Sequence, residues 1–176
     1  MSRTTIVGIQ SFTKLFFIGI ENHQSMPEKF NNVINENYTK LENLVKKGAL
    51  AIKQSSFSAA TLCIYHSVNP TEPYMAAFAN AIEIDPQASK RENIEALLDG
   101  DKTILAGTIP DQKFMLKVIH EGSHESLGSS WQAADAYLKE KGLVRDSGYS
   151  PFERYVVISG DSSITEIYIP LLADKR

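Results

Sequence analysis

Two tripeptides near the C-terminus carry the residues best suited to hold a charged ligand: Glu153-Arg154-Tyr155 and Glu166-Ile167-Tyr168. Each lies in a run of β-branched and aromatic residues, and the turn-forming Ser159-Gly160-Asp161-Ser162 separates the two runs. Successive strand side chains alternate between faces, so each Glu shares a face with its own Tyr. An in-register hairpin then sets Tyr155 opposite Glu166 and Glu153 opposite Tyr168, gathering two carboxylates and two phenols on one surface. The other face of the second strand, Thr165, Ile167 and Ile169, suits packing under a helix. Burying an ionised carboxylate is costly unless a counter-charge arrives. A bound cation would supply it, and each ring face would add about 0.5–2 kcal/mol of cation–π attraction. Two neighbouring carboxylates also raise one another's pKa, so an empty pocket would tend to hold a shared proton. The competing reading, a solvated sheet face, fits poorly with Ile164 and two tyrosines on that same surface. The chemistry expected is capture of a cationic, partly apolar small molecule. It depends on both glutamates lying on one side of the sheet, beside a recess.

Trp131 and Tyr65 are the further candidates for a pocket wall. Trp131 sits on an apolar helical stripe, where core packing and a wall position weigh equally. Tyr65 lies on a strand of the first half that corresponds to the Glu153 strand, and a core position competes with a groove position there. His120-Glu121-Gly122-Ser123-His124 formally matches the zinc-protease pattern H-E-x-x-H, which needs both histidines one turn apart on a helix. Here a strand runs into His120 and Gly122-Ser123 opens a helix, so the two rings should diverge and no metal is expected. Cys63 and His66 lack an evident third partner for thiol chemistry, and a buried, inert thiol is expected. No phosphate-cradling glycine loop, G-x-S-x-G elbow or Cys–His zinc spacing occurs, and no cofactor is implied.

The elements that must position these residues recur in order. Phe12–Ile20 reads as a strand, and Ser25-Met26-Pro27-Glu28 as a capping box. Phe30, Val33, Ile34, Leu41, Leu44 and Val45 form a helical stripe that stops at Gly48, followed by strands over Thr61–Ser67 and Tyr74–Ile84, with a turn around Asn69-Pro70. Asp85–Asp101 is a polar connector with a helical turn at Asn93–Leu98. The second half begins with a strand over Lys113–His120, and Ser123 is the expected N-cap of the next helix. Leu127, Trp131, Ala134 and Leu138 mark that helix, Gly142 stops it, and the two Glu-x-Tyr strands close the half. Strand, helix, strand, strand thus occurs twice, over about 10–86 and 102–172 of a single domain spanning 1–176. The fold class is α+β: an antiparallel sheet with helices on one side and a ligand groove between the halves.

Composition sets outer limits. With 176 residues, 43% hydrophobic and 22% charged, the chain is long enough for a core of its own. A net charge of −3 gives no electrostatic footprint for direct nucleic-acid binding. The single cysteine excludes an internal disulfide, the longest apolar run, Leu15–Ile20, is too short for a membrane span, and no leader pattern opens the chain. A cytoplasmic location is therefore expected, and the Asn37-Tyr38-Thr39 sequon carries no weight.

G-T-I-P-D-Q-K-F-M-L-K-V-I-H-E-G, the helix containing L-G-S-S-W-Q, P-F-E-R-Y and the closing T-E-I-Y-I-P-L together resemble the C-terminal half of the GyrI-like family. These are bacterial effector-binding domains of AraC-type and multidrug-sensing regulators, also found as stand-alone proteins. The first half resembles the family through element order and C-I-Y-H-S. The resemblance implies a duplicated fold with a central acidic and aromatic pocket for cationic, apolar compounds. By motif position it implies ligand roles for Glu153, Glu166, Tyr168 and Tyr155. It also implies a stand-alone sensor or sequestering protein, with any transcriptional role exercised through another chain, since the two units leave no room for a helix-turn-helix. Two alternatives come with the same resemblance. One is hydrolysis of cyclopropane-bearing alkylating compounds, with Glu153 or Glu166 as the base toward water. The other is a protein–protein role, as an inhibitor of DNA gyrase. Binding, rather than catalysis, is the leading expectation.

Overall fold

A computed structural model of the chain describes residues 2–22, 30–66, 78–159 and 162–173. Among these residues, eight strands form one antiparallel sheet: β1 (Arg3–Phe12), β2 (Leu15–Asn22), β3 (Thr61–Tyr65), β4 (Phe78–Ile84), β5 (Ile104–Ile109), β6 (Gln112–Glu121), β7 (Phe152–Val157) and β8 (Ile164–Pro170). Four helices accompany them: α1 (Phe30–Lys46), α2 (Phe57–Ala60), α3 (Arg91–Gly100) and α4 (Leu127–Lys141). The strand order is β1-β6-β8-β7-β3-β4-β2-β5. Its middle six strands are the duplication made visible, with β6, β8 and β7 of the second half mirrored by β2, β4 and β3 of the first. The halves meet where β7 pairs with β3, and β1 and β5 extend the two outer margins.

The apolar periodicities decide which face the helices cover. On α4, Leu127, Trp131, Ala134 and Leu138 fall on one side and pack on Leu116, Val118, Ile167 and Ile169. Leu41 of α1 and Leu97 and Leu98 of α3 pack with Ile18, Ile20, Ile82 and Ile84 on the same side of the sheet. Gly142 ends α4 in the left-handed region at φ 64°, where a side chain is disfavoured. The helix-free face carries a third cluster, in which Phe17, Leu62, Met115, Phe152 and Tyr168 pack together. Phe17 lies so closely over Gly107, its partner on β5, that a Cβ there would meet the ring at 2.4 Å.

Several sequence expectations need amendment. The strand expected over Phe12–Ile20 is two strands, because β1 ends at Phe12 and β2 begins at Leu15. β5 forms between the expected connector, Asp85–Asp101, and the strand expected from Lys113, where no element was assigned, and the turn expected at Asn93–Leu98 is the longer α3. Ser123 flanks a 3-10 turn, His124–Ser126, and its side chain caps nothing. The capping box at Ser25–Glu28, the turn at Asn69-Pro70, residues 74–77 of the strand expected over Tyr74–Ile84 and the centre of the final hairpin turn lie outside the described residues.

Candidate ligand-binding site

The hairpin of β7 and β8 fixes the site, and one extra residue in it changes the outcome. Next to the turn, Val157 stands opposite Ile164. An unbroken ladder from that pair would put Tyr155 opposite Glu166 and Glu153 opposite Tyr168, as the sequence leads one to expect. Instead the register shifts between Tyr155 and Val157, and beyond it Tyr155 faces Thr165, Arg154 faces Glu166, Glu153 faces Ile167 and Phe152 faces Tyr168. A one-residue slip moves every side chain to the other face. Glu153 and Glu166 therefore lie on opposite sides of the sheet, and the pocket with two carboxylates is overturned. Glu153, Tyr155, Trp131 and Tyr65 come together on the helix side; Glu166 and Tyr168 point away from them.

Glu153 stands in a row that crosses all eight strands on the helix side. Through successive partners the row runs Ile104, Ile20, Asn80, Cys63, Glu153, Ile167, Val118, Ile6. The ends are aliphatic and sit under the helix clusters; the three middle residues form a polar seam where the halves join. Glu153 is 1% exposed. Its Oε1 accepts from the Trp131 indole N–H at 2.7 Å, and its Oε2 accepts from the Tyr155 hydroxyl at 2.8 Å. The Tyr65 hydroxyl also lies within hydrogen-bonding reach. These three donors are uncharged. Burial pushes the Glu153 carboxyl above its ordinary value, although the donors pull the other way. Burial, reinforced by Glu153, likewise raises the Tyr155 phenol, which stays protonated and able to donate.

Aromatic rings enclose this carboxylate. Tyr65 meets Trp131 edge-on at 5.6 Å, and Tyr155 meets Tyr38 of α1 at 6.3 Å and His124 at 5.1 Å. Tyr38 donates to the Leu62 carbonyl at 2.6 Å. His124 is exposed, and partial burial, with His120 close by, lowers its ring below the ordinary value. Trp131 is a core residue, and its indole N–H is also the group that meets the Glu153 carboxylate.

On the helix-free face the second Glu-x-Tyr pair is already neutralised. Glu166 accepts from Lys117 at 2.5 Å and from the Tyr168 hydroxyl at 2.7 Å. Lys117 also stands 5.5 Å above the Tyr168 ring, which stacks on Phe152 at 4.9 Å. Nearby, Arg154 pairs with Glu83, which Gln54 also donates to at 2.8 Å. Glu166 and Glu83 thus each have a cation of their own.

The other candidates resolve locally. His120, next to last in β6, has Nδ1 on the Ser130 hydroxyl at 2.8 Å and Nε2 on the Ser123 carbonyl at 3.0 Å, so both ring nitrogens are engaged. Cys63 is buried, and burial followed by Glu153 pushes its thiol far up, away from thiolate chemistry. Two residues of the seam escaped the sequence reading. Tyr38 lies three residues before Leu41 and so on the inward stripe of α1, while Asn80 takes an inward position in the alternation that Ile82 and Ile84 continue.

A cleft of about 400 Å³ lies beside this aromatic enclosure, with Tyr65, Arg145, Tyr149, Pro151 and Ile169 in its lining. Tyr65 is common to both, one edge on the cleft and its hydroxyl by Glu153.

No family model matches the sequence, and no curated protein matches it. Solved structures match in fold. The EcmrR C-terminal domain gives a TM-score of 0.70 at 14% identity, over 98% of each chain. Compared with EcmrR in its DNA complex, at a TM-score of 0.70 and 15% identity, 97% of this chain is covered but only 57% of that one. SAV2435 bound to tetraphenylphosphonium gives 0.61 at 14% identity, over 98% of this chain and 94% of the other. A hydrolase encoded by lin2189 from Listeria innocua gives 0.54 at 12% identity, over 97% and 91%. One antiparallel sheet with its helices on one side is the fold this chain has in common with the EcmrR C-terminal domain, SAV2435 and the lin2189 hydrolase.

Proposed function

We propose that the chain is an effector-binding domain of the GyrI-like kind that captures a cationic, apolar small molecule at Glu153. The observation that carries this reading is a fully buried carboxylate served by uncharged donors and enclosed by Trp131, Tyr155, Tyr65 and Tyr38. Such a group lacks the counter-charge that would make its burial favourable, and a delocalised cation provides it while stacking on the rings. Glu166 has no such role, because Lys117 already balances it. The cleft beside Tyr65 gives an approach, and swinging that ring aside uncovers the carboxylate. SAV2435, a protein of this fold, has been solved with tetraphenylphosphonium, which makes that cation the first probe. Calorimetric titration of tetraphenylphosphonium against Glu153→Gln should show affinity reduced about thirtyfold or more, the lower end for breaking a buried charge pair. Glu166→Gln should stay within about threefold of the parent. Equal losses in both variants, or none in Glu153→Gln, would contradict the reading.

A hydrolytic role is the second reading, favoured by the raised Glu153 carboxyl and by the hydrolase among the proteins of this fold. A carboxylate tuned upward is a better base toward water at neutral pH. Incubation with an activated cyclopropane distinguishes the two: ring-opened product that disappears in Glu153→Gln marks an enzyme, and stoichiometric binding without product marks a binder.

A further inference from the structure

Asn80 lies on the same row as Glu153, with Cys63 between them. It is 0% exposed. Its Oδ1 accepts from the side-chain amides of Asn22 at 3.1 Å and Asn37 at 3.0 Å, and these two donors fix which way the Asn80 amide points. The Nδ2 group is turned toward the Tyr38 hydroxyl but makes no hydrogen bond of ordinary geometry. A buried donor left in that state costs about 1–3 kcal/mol, so it stands out from the satisfied groups around it. It also faces the polar seam, across the small Cys63 from the carboxylate. Two strand spacings separate the backbones of Asn80 and Glu153, about 10 Å.

We propose that Asn80 is a second polar subsite of the Glu153 recess, and that the ligand is therefore a cation carrying a hydrogen-bond acceptor, such as a carbonyl, about 10 Å from its charge. The proposal rests on the Glu153 reading and adds a direction to it. The cation sits over Glu153, the apolar body crosses Cys63 between Tyr38 and Tyr155, and the acceptor meets the Asn80 amide. A purely hydrocarbon cation satisfies the first subsite and leaves the second as it is.

The test uses two triphenylphosphonium cations with the same eight-carbon chain, one bearing a ketone near the chain end and the other a methylene there. The parent protein should bind the ketone about tenfold more tightly. Asn80→Asp keeps an oxygen for Asn22 and Asn37 while replacing the N–H donors, so it should bring the two affinities together. Equal binding of the two probes by the parent protein, which requires no variant to fold, would overturn the proposal. So would a ketone preference that survives in Asn80→Asp. Glu153→Gln separates this from the parent reading: both probes should weaken together. Should neither weaken, the Glu153 site itself is wrong, whatever the ketone preference.

Discussion

Glu153 and Glu166 begin with everything in common. Each belongs to a Glu-x-Tyr triplet, the triplets lie on neighbouring strands, and each carboxylate accepts from the tyrosine two residues on. Their second partners differ: an indole N–H for Glu153 and a lysine ammonium for Glu166. The first is enclosed on the helix side at the junction of the halves, the second is part-exposed on the helix-free face with its charge balanced. On the proposed reading a carboxylate is prepared to receive a cation by what it lacks, and the same triplet that makes a structural ion pair on one face would serve ligand capture on the other.

The comparison can be sharpened by removing the second partners. Trp131→Phe takes away a hydrogen bond to a buried carboxylate and should cost about 2–3 kcal/mol in urea unfolding. A cost well under 1 kcal/mol would mean that the indole N–H is not what holds Glu153.

Next comes the pH dependence of Glu153. Its carboxyl is raised by burial above the ordinary 4.5, so the folded state holds the proton more tightly than the unfolded chain. The stability this contributes is present below about pH 4.5 and lost as pH rises through the raised value. Glu153→Gln, which cannot ionise, should therefore gain in melting temperature relative to the parent as pH goes from 4 to 8. A difference that stays constant over this range would show that Glu153 titrates normally. Glu166→Gln gives the smallest effect, since a part-exposed ion pair contributes about 0.5–1 kcal/mol, and salt should weaken it.

Much of this architecture was legible because side-chain periodicity records burial. Thr165, Ile167 and Ile169 marked the face that α4 covers, Leu127 to Leu138 marked the covering stripe, and Gly142 marked its end. The margins were harder. β1 and β5 each gain a partner on one side only, and their composition is mixed enough that pairing, rather than local pattern, decides their state. The largest error came from a single residue. The shift between Tyr155 and Val157 leaves no mark in the sequence, since neither a glycine nor a proline occurs there, yet it decides the face of every residue from Tyr155 back to Phe152. Within each strand the alternation held, so Glu153 with Tyr155 and Glu166 with Tyr168 were paired as expected. Across strands the register was needed, and register belongs to the whole sheet.

The position of a bound cation tests the central claim most directly. A crystal structure of the protein soaked with tetraphenylphosphonium should place the phosphonium beside Glu153 on the helix side, with Tyr65 or Tyr155 swung aside and Lys117 still on Glu166. Density for the cation on the opposite face, against Tyr168 and Glu166, would contradict the account.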